Sequence, residues 1–254
     1  MKLNFKIPII LVVNFFLADF KSFSQSFESE QKDFPRVKFA YSQKESTVLK
    51  TLDSNKIAPN SLEILIKVLK KEQKLELWAK DRRHNKMQLI KKYNVCQKSG
   101  RQGPKRTQGD GQVPEGIYEV AWFNPESAFH LSLGLNYPNA SDQILSNKSN
   151  PGSAIMIHGS CVTIGCIPMT NPIIEEIYIY AVKARNAGQI HIPIYVFPQD
   201  LGGNGLNDLY QNITSDSTHF TFWSNLKEGF DLFETNKLPL IFTVDKSGRY
   251  AFRK

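Results

Sequence analysis

The segment that most restricts this chain runs from Ala154 to Cys166. An apolar run, Ile155-Met156-Ile157, delivers His158, turns at Gly159, and returns through Ser160-Cys161-Val162-Thr163-Ile164-Gly165 to Cys166. A branched apolar run closed by glycine is the pattern of a buried strand. His158 then stands at the strand's exit, and the loop bounded by Gly159 and Gly165 brings Cys166 back beside it. The pairing has a chemical use. A thiol with a pKa of about 8.5 is only a few per cent thiolate at neutral pH, whereas an adjacent imidazole of pKa about 6.5 can take its proton. Cys166 is the candidate nucleophile and His158 its base. Two other readings of the same residues stay open. His158, Cys161 and Cys166 form a partial zinc set, although a structural site wants four ligands at closer spacings. Alternatively, both cysteines serve as small buried hydrophobes beside a satisfied core histidine.

The chain begins with a basic hexapeptide, Met1 to Lys6, followed by an apolar stretch, Ile7 to Leu17, broken only by Asn14. Ser22-Phe23-Ser24 then puts small residues before Gln25, so residues 1–24 read as a secretory signal peptide. A membrane span needs ~20 apolar residues, and this run meets Asp19 and Lys21 first. The expectation is an exported chain of the periplasm or cell envelope, with no stable membrane span after processing. Losing three lysines and one aspartate with residues 1–24 lowers the formal charge from +8 to +6 and leaves 230 of the 254 residues. A mildly basic surface suits polyanionic envelope polymers, and no Lys/Arg block with interleaved aromatics points to nucleic acid. Three cysteines is an odd number, so at least one is unpaired. With Cys166 as nucleophile, Cys96 and Cys161 are left to form a disulfide or to remain buried thiols.

Periodicity divides the remainder. Residues 25–61 are polar and mixed, a surface lead-in with a short helix near 44–52 and a breaker at Ala58-Pro59-Asn60. Leu62 opens a helix or strand, and two strands follow, 74–80 and 87–96, joined through Arg82-Arg83-His84-Asn85 with His84 in solvent. Leu75, Leu77 and Ala79 alternate with polar residues as a half-exposed sheet requires. A Gly- and Pro-rich loop, 100–116, leads into a strand at 117–123, and a second strand, 131–135, runs into Asn136-Tyr137-Pro138-Asn139. Asn171 is expected to cap a helix that starts at Pro172, stops at Gly188 and packs one face inward. Ile190–Phe197 is a further strand, with His191 structural. Residues 198–217 form a loop, followed by aromatic-rich helices at 220–227 and 228–233 and a hairpin over 240–252. This extension, 199–254, is expected to cover a core.

The pieces Gly103-Pro104-Lys105, Gly109-Asp110, Pro114-Glu115-Gly116-Ile117-Tyr118, Leu135-Asn136-Tyr137-Pro138-Asn139 and Ile155 to Cys166 occur in the order of a known family. Over residues 62–198 the chain resembles the L,D-transpeptidase (YkuD-type) catalytic domain, specifically its YafK-like branch. The resemblance implies a mainly β fold with α elements, a β-sandwich-like domain acting on the stem peptides of peptidoglycan without a cofactor or metal. The cysteine attacks the carbonyl on the L-centre of diaminopimelate, expels an amine, and passes the acyl group to water or to an amine acceptor, a wall-linked protein among them. Carried over, Cys166 is the nucleophile, His158 the base, the Gly159 carbonyl orients the imidazole, and the N–H groups of Gly165 and Cys166 face the oxyanion. Lys105, Tyr137, Ser160 and Thr163 are the implied substrate contacts. The family's common Ser-His-Gly-Cys is here Thr163-Ile164-Gly165-Cys166, and the Arg often found two places after the cysteine is Pro168. Those departures match the YafK-like branch, for which the resemblance implies hydrolysis of an existing link over formation of a new one. The alternative is a non-catalytic wall-binding module that keeps the fold.

Overall fold

The computed structural model describes residues 25–211 and 217–253; the signal peptide expected at 1–24 lies outside them. In chain order the elements are α1 (Phe27–Lys32), α2 (Pro35–Ser54), β1 (Glu63–Leu69), β2 (Lys74–Lys80), β3 (Gln88–Asn94), β4 (Gly116–Asn124), β5 (Ser132–Leu135), α3 (Ala140–Leu145), β6 (Met156–His158) and β7 (Ile167–Pro168). They continue with α4 (Asn171–Asn186), β8 (Pro193–Phe197), α5 (Gly205–Gln211), α6 (Ser217–Asn236), β9 (Phe242–Val244) and β10 (Tyr250–Phe252). The fold is mainly β with helices. Eight strands form one mixed sheet in the order β3-β2-β1-β8-β4-β5-β6-β7. Strand β4 is the corner: its first half pairs with β8, its second half with β5, and the register shifts between Val120 and Trp122. Such an irregularity bends a strand and lets it serve two halves of a curled sheet.

Strand alternation sorts the core into two layers. Ile64, Ile66, Val68, Leu75, Leu77, Ala79, Ile194 and Val196 face one layer with α2 and α4. Leu65, Leu69, Trp78, Tyr195 and Phe197 face the other, with Trp223, Phe230 and Phe233 of α6. The sheet is therefore buried on both faces, where the alternation in β2 predicts one wet face. The polar alternates are accommodated by pairing. Lys67 and Glu76 are 4% and 5% exposed, and Lys67 Nζ lies 2.9 Å from Glu76 and 2.7 Å from Glu234 of α6. A buried charge survives only where a partner replaces its lost hydration.

Residues 25–61 are not a surface lead-in. Pro35 occupies the first turn of α2, and Val37, Ala40, Tyr41, Val48 and Leu52, at helical spacing, are buried in the core layer that α4 shares. The helix is also far longer than its C-terminal turns suggest. With α1 and α2 covering it, α4 is buried around most of its circumference, including Glu175, Glu176 and Lys183, rather than along one stripe. Lys183 pairs with Glu28 at 3.1 Å and Glu45 at 2.7 Å. The N-cap of α4 is Thr170, not Asn171, whose side chain turns elsewhere. The 198–217 loop contains α5, and the two expected C-terminal helices are one, α6. Asn225 of α6 grips the hairpin, donating to Tyr250 O at 2.9 Å and accepting from Tyr250 N at 2.8 Å. His84 is not free in solvent, since its Nδ1 sits 2.8 Å from Asp81. His191 lies 2.7 Å from Glu119.

Candidate active site

Strand β6 is held between β5 and β7. Ile157 and His158 oppose Leu133 and Ser132 on the antiparallel side, and Ile167 and Pro168 on the parallel side. A parallel neighbour requires a crossover, and the loop 159–166 supplies it in a compact form. Ser160 and Cys161 both adopt left-handed backbone, at φ 67° and 50°. Three ties hold the loop. Ser160 N donates to Asn171 Oδ1 at 2.9 Å, Met169 N donates to His158 O at 2.7 Å, and Cys161 is disulfide-bonded to Cys96 just beyond β3. A side chain at Gly159 would meet that Asn171 oxygen at 2.6 Å, so the residue there is glycine. The disulfide takes Cys161 out of any zinc set, and among the described residues no group of three or more His, Cys, Asp or Glu is placed to hold a metal.

The ladder sets the face on which the two reactive groups stand. Carrying the β6–β7 register one step back puts Cys166 opposite Met156. His158 lies two residues beyond Met156 on the same face, because side chains alternate along a strand. With a rise of about 3.3 Å per residue and strands about 4.8 Å apart, the two Cα atoms are roughly 8 Å apart, diagonal neighbours whose side chains can approach. Both line one cavity of about 480 Å³.

His158 is 1% exposed and packs against Phe129, ring centres 4.6 Å apart and planes tilted by 32°. Its Nδ1 is 2.6 Å from Gly159 O. A carbonyl only accepts, so Nδ1 carries the proton and Nε2 keeps its lone pair. Burial pulls the imidazole pKa below its ordinary 6.5, opposed by the Gly159 carbonyl. Burial also pushes the half-buried Cys166 thiol above its ordinary 9.0, with the Met156 N–H and the Lys105 ammonium pulling the other way. At neutral pH the resting pair is a neutral thiol and a neutral imidazole. The thiol sits 3.8 Å from Ala154 O.

The loop before Cys166 closes on itself. Gly165 N donates to Thr163 Oγ1 at 3.1 Å, and that hydroxyl donates to Cys166 O at 2.8 Å. The Gly165 N–H expected to face an oxyanion is thus engaged. Gly165 itself has φ +137°, and a Cβ there would lie 2.9 Å from Gln112 O, so only glycine fits. Lys105, 4% exposed, reaches the same cavity while bonded to Asp110 at 2.7 Å and Thr107 O at 2.9 Å. Among the residues singled out from the sequence, Cys166, His158, Lys105, Thr163 and Gly165 line this cavity. Tyr137, Gly159 and Ser160 stand outside its wall. Tyr137 is buried, and its hydroxyl donates to Pro151 O at 2.8 Å, bracing the segment behind the cavity.

Cys166 also borders a second cavity, of about 330 Å³, which His158 does not line. Its wall includes Val95, Lys98, Arg101, Val113 and Pro198, and Gln97 is shared between the two cavities. Sequence reasoning passed over Gln97, Lys98, Arg101 and Phe129. The one available signal was Cys96, whose pairing with Cys161 brings residues 97–101 to the site.

Residues 63–196 match the family model of the L,D-transpeptidase catalytic domain, YkuD. The chain is 35% identical over 195 residues to "Putative L,D-transpeptidase YafK" of Escherichia coli (strain K12), covering 75% of this chain and 74% of that relative. The protein of the same name from Escherichia coli O157:H7 matches to the same extent. Among solved structures, the helical cell shape determining protein Pgp2 from Campylobacter jejuni gives a TM-score of 0.44 at 16% identity, covering 72% of this chain and 73% of that one. Bd1075 of Bdellovibrio bacteriovorus gives 0.40 at 22% identity, covering 70% and 59%.

Proposed function

Because the chain belongs to the L,D-transpeptidase (YkuD) catalytic-domain family, we propose that it is an exported cysteine acyltransferase of peptidoglycan stem peptides. The observation that carries this reading is the shared cavity of Cys166 and His158, on one sheet face, with Nδ1 tied to Gly159 O. In the first half-reaction His158 Nε2 takes the Cys166 proton as Sγ attacks the carbonyl on the L-centre of diaminopimelate. The carbonyl oxygen becomes an oxyanion. With Gly165 N–H engaged, the Cys166 N–H is the backbone donor left for that charge, and Lys105 adds a favourable field. The imidazolium then protonates the departing amine, D-alanine or another, as the C–N bond breaks and a thioester remains. In the second half-reaction water or an acceptor amine gives its proton to Nε2, attacks the thioester and restores the thiol. Thiolate and imidazolium arise only during turnover, since burial favours the neutral forms at rest.

Export is supported by the N-terminal pattern and by the Cys96–Cys161 disulfide, a bond that persists in oxidising compartments. Incubation with a stem peptide or a carbapenem, followed by peptide mapping, is expected to find the adduct on Cys166 and none in Cys166→Ala. Digestion of purified sacculi then identifies whether links are cut or joined. Protein that acquires no adduct and releases no amine from muropeptides would overturn the proposal.

A further inference from the structure

The two cavities that meet at Cys166 differ in chemistry and in access to the base. His158, Phe129 and Met156 line the larger one only. The leaving amine must take a proton from the imidazole, and the acceptor must return one to it, so both come and go on the His158 side. The acyl portion of the substrate is then left to the smaller cavity, whose 330 Å³ falls within the span of small-ligand sites, about 300–1,000 Å³.

That smaller cavity is lined by cations and, among the described residues, by no carboxylate. Lys70 in its wall is already committed to Glu115 at 2.7 Å and to the carbonyls of Val113 at 2.8 Å and Gly103 at 2.9 Å. Lys71, Lys98 and Arg101 are exposed at its edge, and their side chains have no hydrogen-bond or ion-pair partner among the described residues. Uncompensated like charges around one concavity repel, and an anion between them relieves the repulsion; an Arg fork with a nearby ammonium suits a carboxylate in particular. Position 168, two beyond the thiol, is a proline and supplies no cation. The cations arrive instead from residues 97–101, which the Cys96–Cys161 disulfide fastens to the loop of Cys166.

Building on the acyl-transfer reading, we propose that Lys98 and Arg101 bind a free carboxylate of the acyl donor in this cavity and so set the enzyme's preference for unamidated stem peptides. Cys166 is the free thiol of the three cysteines, which makes its alkylation a test independent of turnover. Iodoacetate and iodoacetamide each transfer their carbon to Sγ with loss of iodide, and they differ in charge alone at the far end. Intact-mass kinetics of the unreduced protein are expected to show the iodoacetate rate falling about fivefold in Lys98→Gln/Arg101→Gln, the scale of two exposed ionic contacts. The iodoacetamide rate should hold, and high salt should erase the difference in the wild type. On stem peptides, the same variant should raise KM for the carboxylate form while leaving its kcat and the KM of the carboxamide in place. An iodoacetate-to-iodoacetamide ratio identical in variant and wild type would overturn the anion site. Charge-selective alkylation without any muropeptide turnover would support the anion site and remove the acyl-transfer reading instead.

Discussion

Removing the cross-link with Cys96→Ser/Cys161→Ser is expected to destabilise the fold by roughly 4 kcal/mol, the chain-entropy value for a loop of this length. The two cysteines are 65 residues apart in sequence, and their Cα atoms sit 5.6 Å apart when folded. Between them lie β4, β5, β6 and the Lys105 segment, so without the bond the unfolded chain regains the freedom of that whole span. The folded state loses little by comparison, because Cys161 N and Cys96 N remain bonded to Met169 O and Pro168 O. For a protein of this size the change corresponds to a drop in melting temperature of roughly 8–16 °C. Urea or thermal denaturation of the double variant against the unreduced wild type measures it, and the wild type in reductant should fall to the same midpoint. The double substitution avoids leaving one unpaired thiol to confuse the comparison with Cys166. Equal midpoints for variant and wild type would refute the reasoning. So would a fall in the native signal with no shift in midpoint, since that places the effect in the folded state.

Other expectations follow from the same contacts. The kcat/KM profile should rise through a pKa below 6.5 as His158 loses its proton, stay level near neutrality, and decline only above 9 as the Cys166 thiol ionises; an acid limb above 6.5 would show that burial does not govern the imidazole. Replacing His158 with Ala should lower the acylation rate by about 10²–10⁴ while leaving the far-ultraviolet circular dichroism intact; acylation at the wild-type rate, followed by stopped-flow or mass spectrometry, would remove His158 as the base. Lys67→Ala leaves Glu76 with only Lys92 at 3.0 Å and the Trp78 indole at 3.0 Å and should cost about 1.5–3 kcal/mol, whereas Lys67→Met with Glu76→Leu should recover most of it; denaturant midpoints of the single and double variants decide between these outcomes. Glu76 has its pKa held down by Lys67, Lys92 and Trp78 against the upward push of burial. Its contribution is thus present above the unfolded carboxylate pKa and lost as pH falls through the lower folded value, so wild-type stability should decline on acidification more steeply than that of the Lys67→Met/Glu76→Leu protein.

What could be read from residue order is what local rules control. Period-two alternation placed β2 from Lys74 to Lys80, glycine and the branched run placed β6 with His158 at its end, and Pro172 with Gly188 bracketed α4. Cys166 and His158 stand out as a candidate pair because acyl transfer needs a thiol and an imidazole, and both lie on one short segment. What lay beyond those rules depends on contacts between distant parts of the chain. Leu75, Leu77 and Ala79 look like one face of a half-wet strand because nothing near them announces α6, which covers Trp78 and sets Glu234 against Lys67 from 140 and more positions away. The extent of α2 was hidden for the same reason: its polar residues dilute the pattern, and its helical state is secured by packing on α4. Asn171 carries the chemistry of a cap, yet its oxygen is drawn to Ser160 N, since the 159–166 loop has a donor to satisfy there. The odd cysteine count left Cys96 and Cys161 either bridged or as buried thiols; that they are bridged, and that Lys98 and Arg101 arrive with the bridge beside the thiol, was out of reach, because a disulfide records proximity in space and a list of cysteines does not. Period and residue chemistry travel with the chain; burial on a second face, the partner of a polar atom and the walls of a cavity exist only once separate segments have met.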